Sequence, residues 1–230
     1  MKKIIGILFL LLIVSSVNSQ VLITLLLGDK LNSEGLEFGL STGMNFSRIS
    51  NMDSDKSFST INLGFYFDIR MKNQFWLNTG VLVKSKMGTG NLSDTDLEFL
   101  EATNYGNDGK YNQSINYFLV PILAKYKFKN HIYLELGPQF GLAHRTWVEF
   151  LESNDDFDAR IREYNRDKIN KIEAGLRAGI GYKLLKGEGM NIGLGYYQGL
   201  TNVYNFGTGN NNQSFYIEVD IPIGRSKEKE

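Results

Sequence analysis

The two histidines, His131 and His144, are the chain's only side chains whose unperturbed pKa suits acid–base work at neutral pH. They stand far apart, without the His-x₃-His or Cys/His spacing of a zinc site. The absence of cysteine removes thiolate ligands, thiol nucleophiles and disulfides together. His144, followed by Arg145-Thr146, is the one candidate for catalysis, of the kind a lipid-modifying enzyme would hold at a membrane rim; the plainer reading is a histidine at headgroup level. Asp155, Asp156 and Asp158 lack the glycine and closing glutamate of a calcium loop. Gly88-Thr-Gly-Asn91 and Gly207-Thr-Gly-Asn210 lack the Lys-Ser/Thr of a phosphate cradle. No catalytic residue, cofactor or metal ligand is therefore assigned.

What remains is charge in an unusual setting. Glu37, Asp68, Arg70, Lys84, Lys125, Glu135, Arg145, Glu173, Arg177, Glu218 and Asp220 fall on the polar side of segments whose other side is apolar. If that side faces the inside of a narrow barrel, the charges must neutralise one another, because a lone buried charge is costly. Asp68, Arg70, Lys125, Glu135, Glu173, Arg177 and Glu218 are expected to form this polar network of the lumen. The role is structural, in preference to a proton or ion path.

The elements that carry these residues show period-2 alternation, the pattern of strands with unlike faces. Leu36, Phe38, Leu40, Met44 and Phe46 alternate with Glu37, Gly39, Ser41, Gly43 and Asn45. Ile61, Leu63, Phe65, Phe67 and Ile69 oppose Asn62, Gly64, Tyr66, Asp68 and Arg70. Phe75, Leu77, Val81, Val83 and Met87 oppose Trp76, Asn78, Gly80, Lys84 and Lys86. Further strands are expected at about 114–128, 131–147, 169–183, 190–204 and 213–224. Most exceed the 9–11 residues with which a tilted strand crosses a bilayer. The connections near 71–74, 129–131 and 185–189 are short; those near 48–58, 88–113, 148–168 and 205–212 are longer and polar. Strict alternation of short and long puts all short turns at one end, the asymmetry of outer-membrane barrels. The acid-then-base order over 152–168 also permits a short helix.

Alternation alone does not say which face looks outward. A lipocalin-like carrier has the same period with an apolar cavity inside. Glycine crowds the polar face (Gly39, Gly64, Gly80, Gly137, Gly175, Gly181), where a tight interior needs it and a solvent face would not. Tyr126, Phe128, Tyr133, Trp147, Phe150 and Tyr182 gather near strand ends, as a membrane girdle requires. Both features favour apolar-out. An eight-stranded lumen is just wide enough for side chains to fill, so no open pore follows.

Met1-Lys2-Lys3, the apolar run Ile4–Val14 and Val17-Asn18-Ser19 read as a cleavable signal peptide over 1–19. An uncleaved anchor extending through Val21–Leu27 is the competing reading, weakened by the polar residues 15–20. Residues 20–35 are then an N-terminal periplasmic segment, 36–224 the barrel and 225–230 a polar tail. The 25 basic and 25 acidic residues balance, which offers no electrostatic footprint for nucleic acid.

Several stretches resemble the β-barrel domain of Bacteroidota outer-membrane proteins, the porin-like or PorT-like family. They are Leu27-Gly-Asp-Lys-Leu-Asn-Ser33 with Leu36-Glu-Phe-Gly-Leu40, Asn116–Tyr126, Tyr133–Gly141, Ala174–Tyr182 and Tyr196–Asn202. The resemblance spans about 27–224 and implies an eight-stranded antiparallel up-and-down transmembrane barrel, all-β, with no reaction attached. Leu119 stands where that family commonly has a glutamate, so the partner sought for Lys125 is Glu135 on the next strand. The expected partners are outer-membrane lipid and lipopolysaccharide, with envelope or secretion-machinery proteins as further candidates.

Overall fold

The computed structural model describes residues 33, 35–54, 56–106, 109–153 and 158–223. The signal peptide and polar tail, most of the 20–35 segment, and Asp155 and Asp156 lie outside the described residues.

Nine antiparallel strands account for most of the chain: β1 (Leu36–Ile49), β2 (Phe58–Lys72), β3 (Phe75–Gly90), β4 (Lys110–Lys127), β5 (Ile132–Ser153), β6 (Asp158–Tyr164), β7 (Ile172–Lys183), β8 (Asn191–Gly199) and β9 (Asn212–Pro222). Eight of them form a ring in which neighbours in sequence pair, β5 pairs with β7, and β9 returns to β1. The strand outside the ring is β6, which pairs with the far end of β5 from Trp147↔Tyr164 to Ser153↔Asp158. This hairpin occupies the region where a helix was conceivable. Arg160, Ile161 and Arg162 alternate there, and among the described residues of this stretch helix is limited to a single 3₁₀ turn at Arg166–Lys168.

The ring presents its apolar side chains outward. Leu134, Leu136, Phe140 and Leu142 on β5, Leu176 and Ile180 on β7, and Ile192 and Leu194 on β8 are all exposed. Arg177 and Glu173, by contrast, are 4% and 1% exposed. This is the reverse of a lipocalin-like carrier, so that alternative falls. The outward apolar ladder from Leu134 to Leu142 climbs about 20 Å at the usual rise and tilt, close to the roughly 25 Å lipid-facing band of such barrels.

Apart from an irregularity between Arg70 and Lys72 beside the β2–β3 turn, two bulges interrupt the alternation, and they flank the same point on β4. Leu82 pairs with Leu119 and Ser85 with Tyr117, so β3 carries one residue too many at Val83–Lys84. Tyr117 pairs with Ala143 and Asn116 with Arg145, which leaves His144 as the extra residue of β5. A bulge moves every later side chain to the opposite face. Beyond it, Met87 is fully buried and Ser85 and Thr89 face inward, whereas Lys84 and Arg145 are exposed. Met87, Lys84, Lys86 and Arg145 therefore sit on the faces opposite to those read from simple alternation.

Inside, glycines leave room for aromatic rings lying across them. A Cβ at Gly181 would collide with the Tyr133 hydroxyl, and one at Gly193 would stand 2.7 Å from it. Tyr133 is thus a lumenal ring, 4.5 Å below the Lys125 ammonium, and not part of an interfacial girdle. A Gly181→Ala substitution is expected to cost about 1–3 kcal/mol, read as a lower urea midpoint in lipid vesicles. Adding Tyr133→Phe, which removes the colliding hydroxyl, should recover part of the loss; no recovery would show that the clash is not the cause.

Candidate functional site: the lumen and its cap

The lumen has two unlike halves. The half nearer the short turns is ionic. Lys125, fully buried, has its Nζ 3.1 Å from Asp68 Oδ1 and 3.6 Å from Glu135 Oε2. Asp68 also takes Lys127 at 2.7 Å and a hydrogen bond donated by Asn78 at 2.7 Å. Arg177 donates to Glu135 (3.3 Å), to Gln139 (3.4 Å) and to Glu218. Lys183 pairs with Glu37, which also accepts from the Tyr66 hydroxyl at 3.0 Å. Strands β1, β2, β4, β5, β7 and β9 all contribute, so the ion pairs tie the ring across its width as well as along it.

Five of the seven residues singled out from sequence, Asp68, Lys125, Glu135, Arg177 and Glu218, are brought together here. Arg70 is not among them. It is exposed beside the β2–β3 turn, where its Nε donates to the Asn73 carbonyl at 3.4 Å. Glu173 is buried but stands apart, without a cation among the described residues. It accepts from the Tyr197 hydroxyl at 2.8 Å and from Asn212 Nδ2 at 2.9 Å. Lys127, Lys183 and Glu37 complete the pairing; Glu37 is among the polar-face charges of the sequence, and the two lysines end the inward faces of β4 and β7.

A cavity of about 20 Å³ lies among Ser41, Thr79, Glu135, Arg177, Glu218 and Asp220, room for one water and not for a solute. Above it the filling turns apolar. Tyr216, which accepts from Gln139 at 3.2 Å and lies 4.9 Å from the Arg177 guanidinium, marks the boundary. Met87, Ile115, Tyr117, Leu119, Tyr197 and Tyr216 then close the section, each buried to 0% exposure.

This plug is roofed by the long connections. Helix α1 (Asp94–Leu100) buries Leu97 and Leu100 on it, and Val203 and Tyr204 descend from the β8–β9 connection. Phe99 meets the rings of Tyr204 at 5.4 Å and Phe206 at 5.1 Å. Burial, with Asp96 nearby, holds the Tyr204 hydroxyl well above the ordinary tyrosine pKa. Helix α1 forms because Ser93 and Asp96 cap each other's backbone N–H groups at 3.1 Å, a reciprocal box that satisfies two orphan donors. Asp96 Oδ1 also accepts from Asp53 N at 2.9 Å, which ties the β1–β2 connection to the roof. Neither the helix nor the apolar roof was anticipated from sequence. The signal was present in Ser93-Asp94-Thr95-Asp96 followed by Leu97 and Leu100.

His144 stacks on Phe118, ring centroids 4.5 Å apart, and its carbonyl accepts from Arg166. His131 takes a positive φ of 68° in the β4–β5 turn. Among the described residues no group of three or more His, Cys, Asp or Glu side chains is placed to hold a metal. Trp147 and Phe150 lie buried on the β5 extension, so at the short-turn end the interfacial rings are Phe75, Tyr126, Phe128 and Tyr182.

A closed ring with an apolar exterior, a charge-paired interior and connections long at one end only is a transmembrane β-barrel of the outer-membrane type. Residues 27–205 match the family described as outer membrane protein beta-barrel domain, and the chain belongs to that family. No curated protein matches it. Among solved structures it is similar to Ail, the attachment invasion locus protein of Yersinia pestis. The identity is 12%, with 83% of this chain and 100% of Ail covered, at a TM-score of 0.44. Neisserial surface protein A is similar at 12% identity, with 83% and 99% covered and a TM-score of 0.42. OprG of Pseudomonas aeruginosa is similar at 12% identity, with 81% and 91% covered and a TM-score of 0.31.

Proposed function

We propose that the protein is a non-enzymatic scaffold of the outer membrane that presents a rigid, capped surface to the exterior and conducts nothing through its lumen. The observation behind this reading is the sealed interior: ion pairs below, an apolar plug above, and helix α1 with the β8–β9 connection folded over it. Loops packed down on a core form a defined binding surface, where free loops would lose entropy on binding. The signal peptide belongs to the same reading, as the route of export. So does the affinity to the PorT-like Bacteroidota proteins, with an accessory role beside envelope or secretion-machinery proteins. Outer-leaflet lipid and lipopolysaccharide are the constant partners of such a wall.

Planar-bilayer recording of the purified, folded protein tests the sealed lumen. The expected trace is flat at voltages where an open barrel gives steps; reproducible steps from folded protein would overturn the reading in favour of a solute channel. His144→Ala tests the enzymatic alternative. An unchanged lipid profile in the host membrane is expected, and a changed one would reinstate a lipid-modifying activity.

A further inference from the structure

The two bulges that flank β4 have a consequence on the outside of the barrel. Below them, the outward face of β3, β4 and β5 is apolar: Val83, Phe118, Val120, Phe140 and Leu142 are all exposed. Immediately above, the same face turns basic. Lys86 pairs in register with Asn116, and Asn116 with Arg145, so the three form one outward row around the wall. The next row up holds Trp147, and its indole is clasped from two sides. Lys86 Nζ lies 5.4 Å from the ring centroid and the Arg162 guanidinium 4.9 Å. Lys84 and Arg160 lie within Coulombic reach of Lys86 as well.

This cluster is under-neutralised. Glu149 is its one carboxylate among the described residues, and two guanidiniums already share it: Arg162 at 2.8 Å and Arg160 at 3.5 Å. Lys84, Lys86 and Arg145 have no carboxylate within 4 Å among the described residues. Like charges gathered without counter-ions repel one another, so the arrangement gains most when an anion joins it. The apolar strip directly below decides which anion. An amphiphile whose acyl chains lie along Val83, Phe118, Val120 and Leu142 delivers its headgroup to Lys86, Arg145 and Arg162.

We infer that the outward wall of β3–β4–β5–β6 is a binding site for the phosphorylated headgroup of an outer-leaflet glycolipid, with Lys86, Arg145 and Arg162 as its cationic ligands around Trp147. The inference rests on the reading of the apolar exterior as lipid-facing and names a particular lipid site upon it. An indole clasped by cations also gives the site its own optical reporter.

The test uses the full chain folded in phosphatidylcholine vesicles, with Trp76→Phe as background so that emission comes from Trp147. Vesicles doped with diphosphorylated lipid A should shift that emission in a saturable, salt-sensitive way, and dephosphorylated lipid A should not. Each basic side chain near an anionic headgroup contributes about fivefold in affinity. The variant carrying Lys86→Gln, Arg145→Gln and Arg162→Gln together should therefore bind about a hundredfold more weakly. Its boiled-against-unboiled gel shift should be unchanged, since none of the three is in the lumen. Equal binding by the triple variant, or equal binding of dephosphorylated lipid A, would overturn the site. Inorganic phosphate competing as well as lipid A would overturn the glycolipid assignment. Loss of the gel shift in the unmutated protein would instead strike the underlying barrel reading, so the two failures are distinguishable.

Discussion

An Arg177→Met variant is expected to lose about 3–5 kcal/mol of stability, the cost of breaking a buried ion pair from one side. Arg177 is the only cation within ion-pair distance of Glu218 among the described residues, and Glu135 shares it with Lys125. Removing the guanidinium leaves these carboxylates in a lumen with room for about one water. The loss should appear as a fall in the urea midpoint and as a smaller fraction of unboiled protein running in the compact gel form. Pairing the change with Glu218→Leu should restore much of the loss, because an apolar pair of similar volume is often neutral beside the ion pair it replaces. A single variant as stable as the parent would show that the ion pairs do not hold the ring.

The second large effect concerns the opposite face. Leu176, 51% exposed and paired with Pro138 near the middle of the apolar ladder, is expected to tolerate arginine poorly. At the bilayer midplane that change costs about 2–4 kcal/mol, and near the interfaces about 0–1. Leu176→Arg should therefore lower the midpoint strongly in vesicles, while Tyr182→Arg at the short-turn end lowers it little. In a water-soluble protein both exposed positions would accept arginine with almost no effect. Equal midpoints for the two variants would refute the lipid-facing assignment.

Much of this architecture could be read in the chain because a strand's two faces are encoded residue by residue. Leu134-Glu135-Leu136 and Leu176-Arg177-Ala178 state in three letters which side meets lipid and which meets a partner charge. The pairing of Lys125 with Glu135 across neighbouring strands follows from that alternation once both strands are placed in register. What alternation cannot express is a single inserted residue. The bulges at Val83–Lys84 and at His144 reverse the phase of everything after them, so Met87 turned inward and Arg145 outward against simple counting. Lys84-Ser85-Lys86-Met87 held a hint, since an apolar phase should not have run into so much polarity. Arg70 was misplaced for a different reason. It has the lumen's phase but stands where the lumen ends and water begins. The roof is not legible in the polarity of the loops, because Leu97, Leu100, Val203 and Tyr204 are scattered apolar residues that act only when brought together.

The join between β1 and β9, which runs from Gly39↔Pro222 to Ile49↔Asn212, unites the first and last strands of the ring. No shorter nascent chain can satisfy both edges. Until the ribosome has supplied residue 222, every intermediate carries two unpaired strand borders and an oily outer surface, the combination that drives aggregation. Ring closure is therefore the last strand pairing the chain can make, and until it forms both borders and the oily surface need protection from other chains.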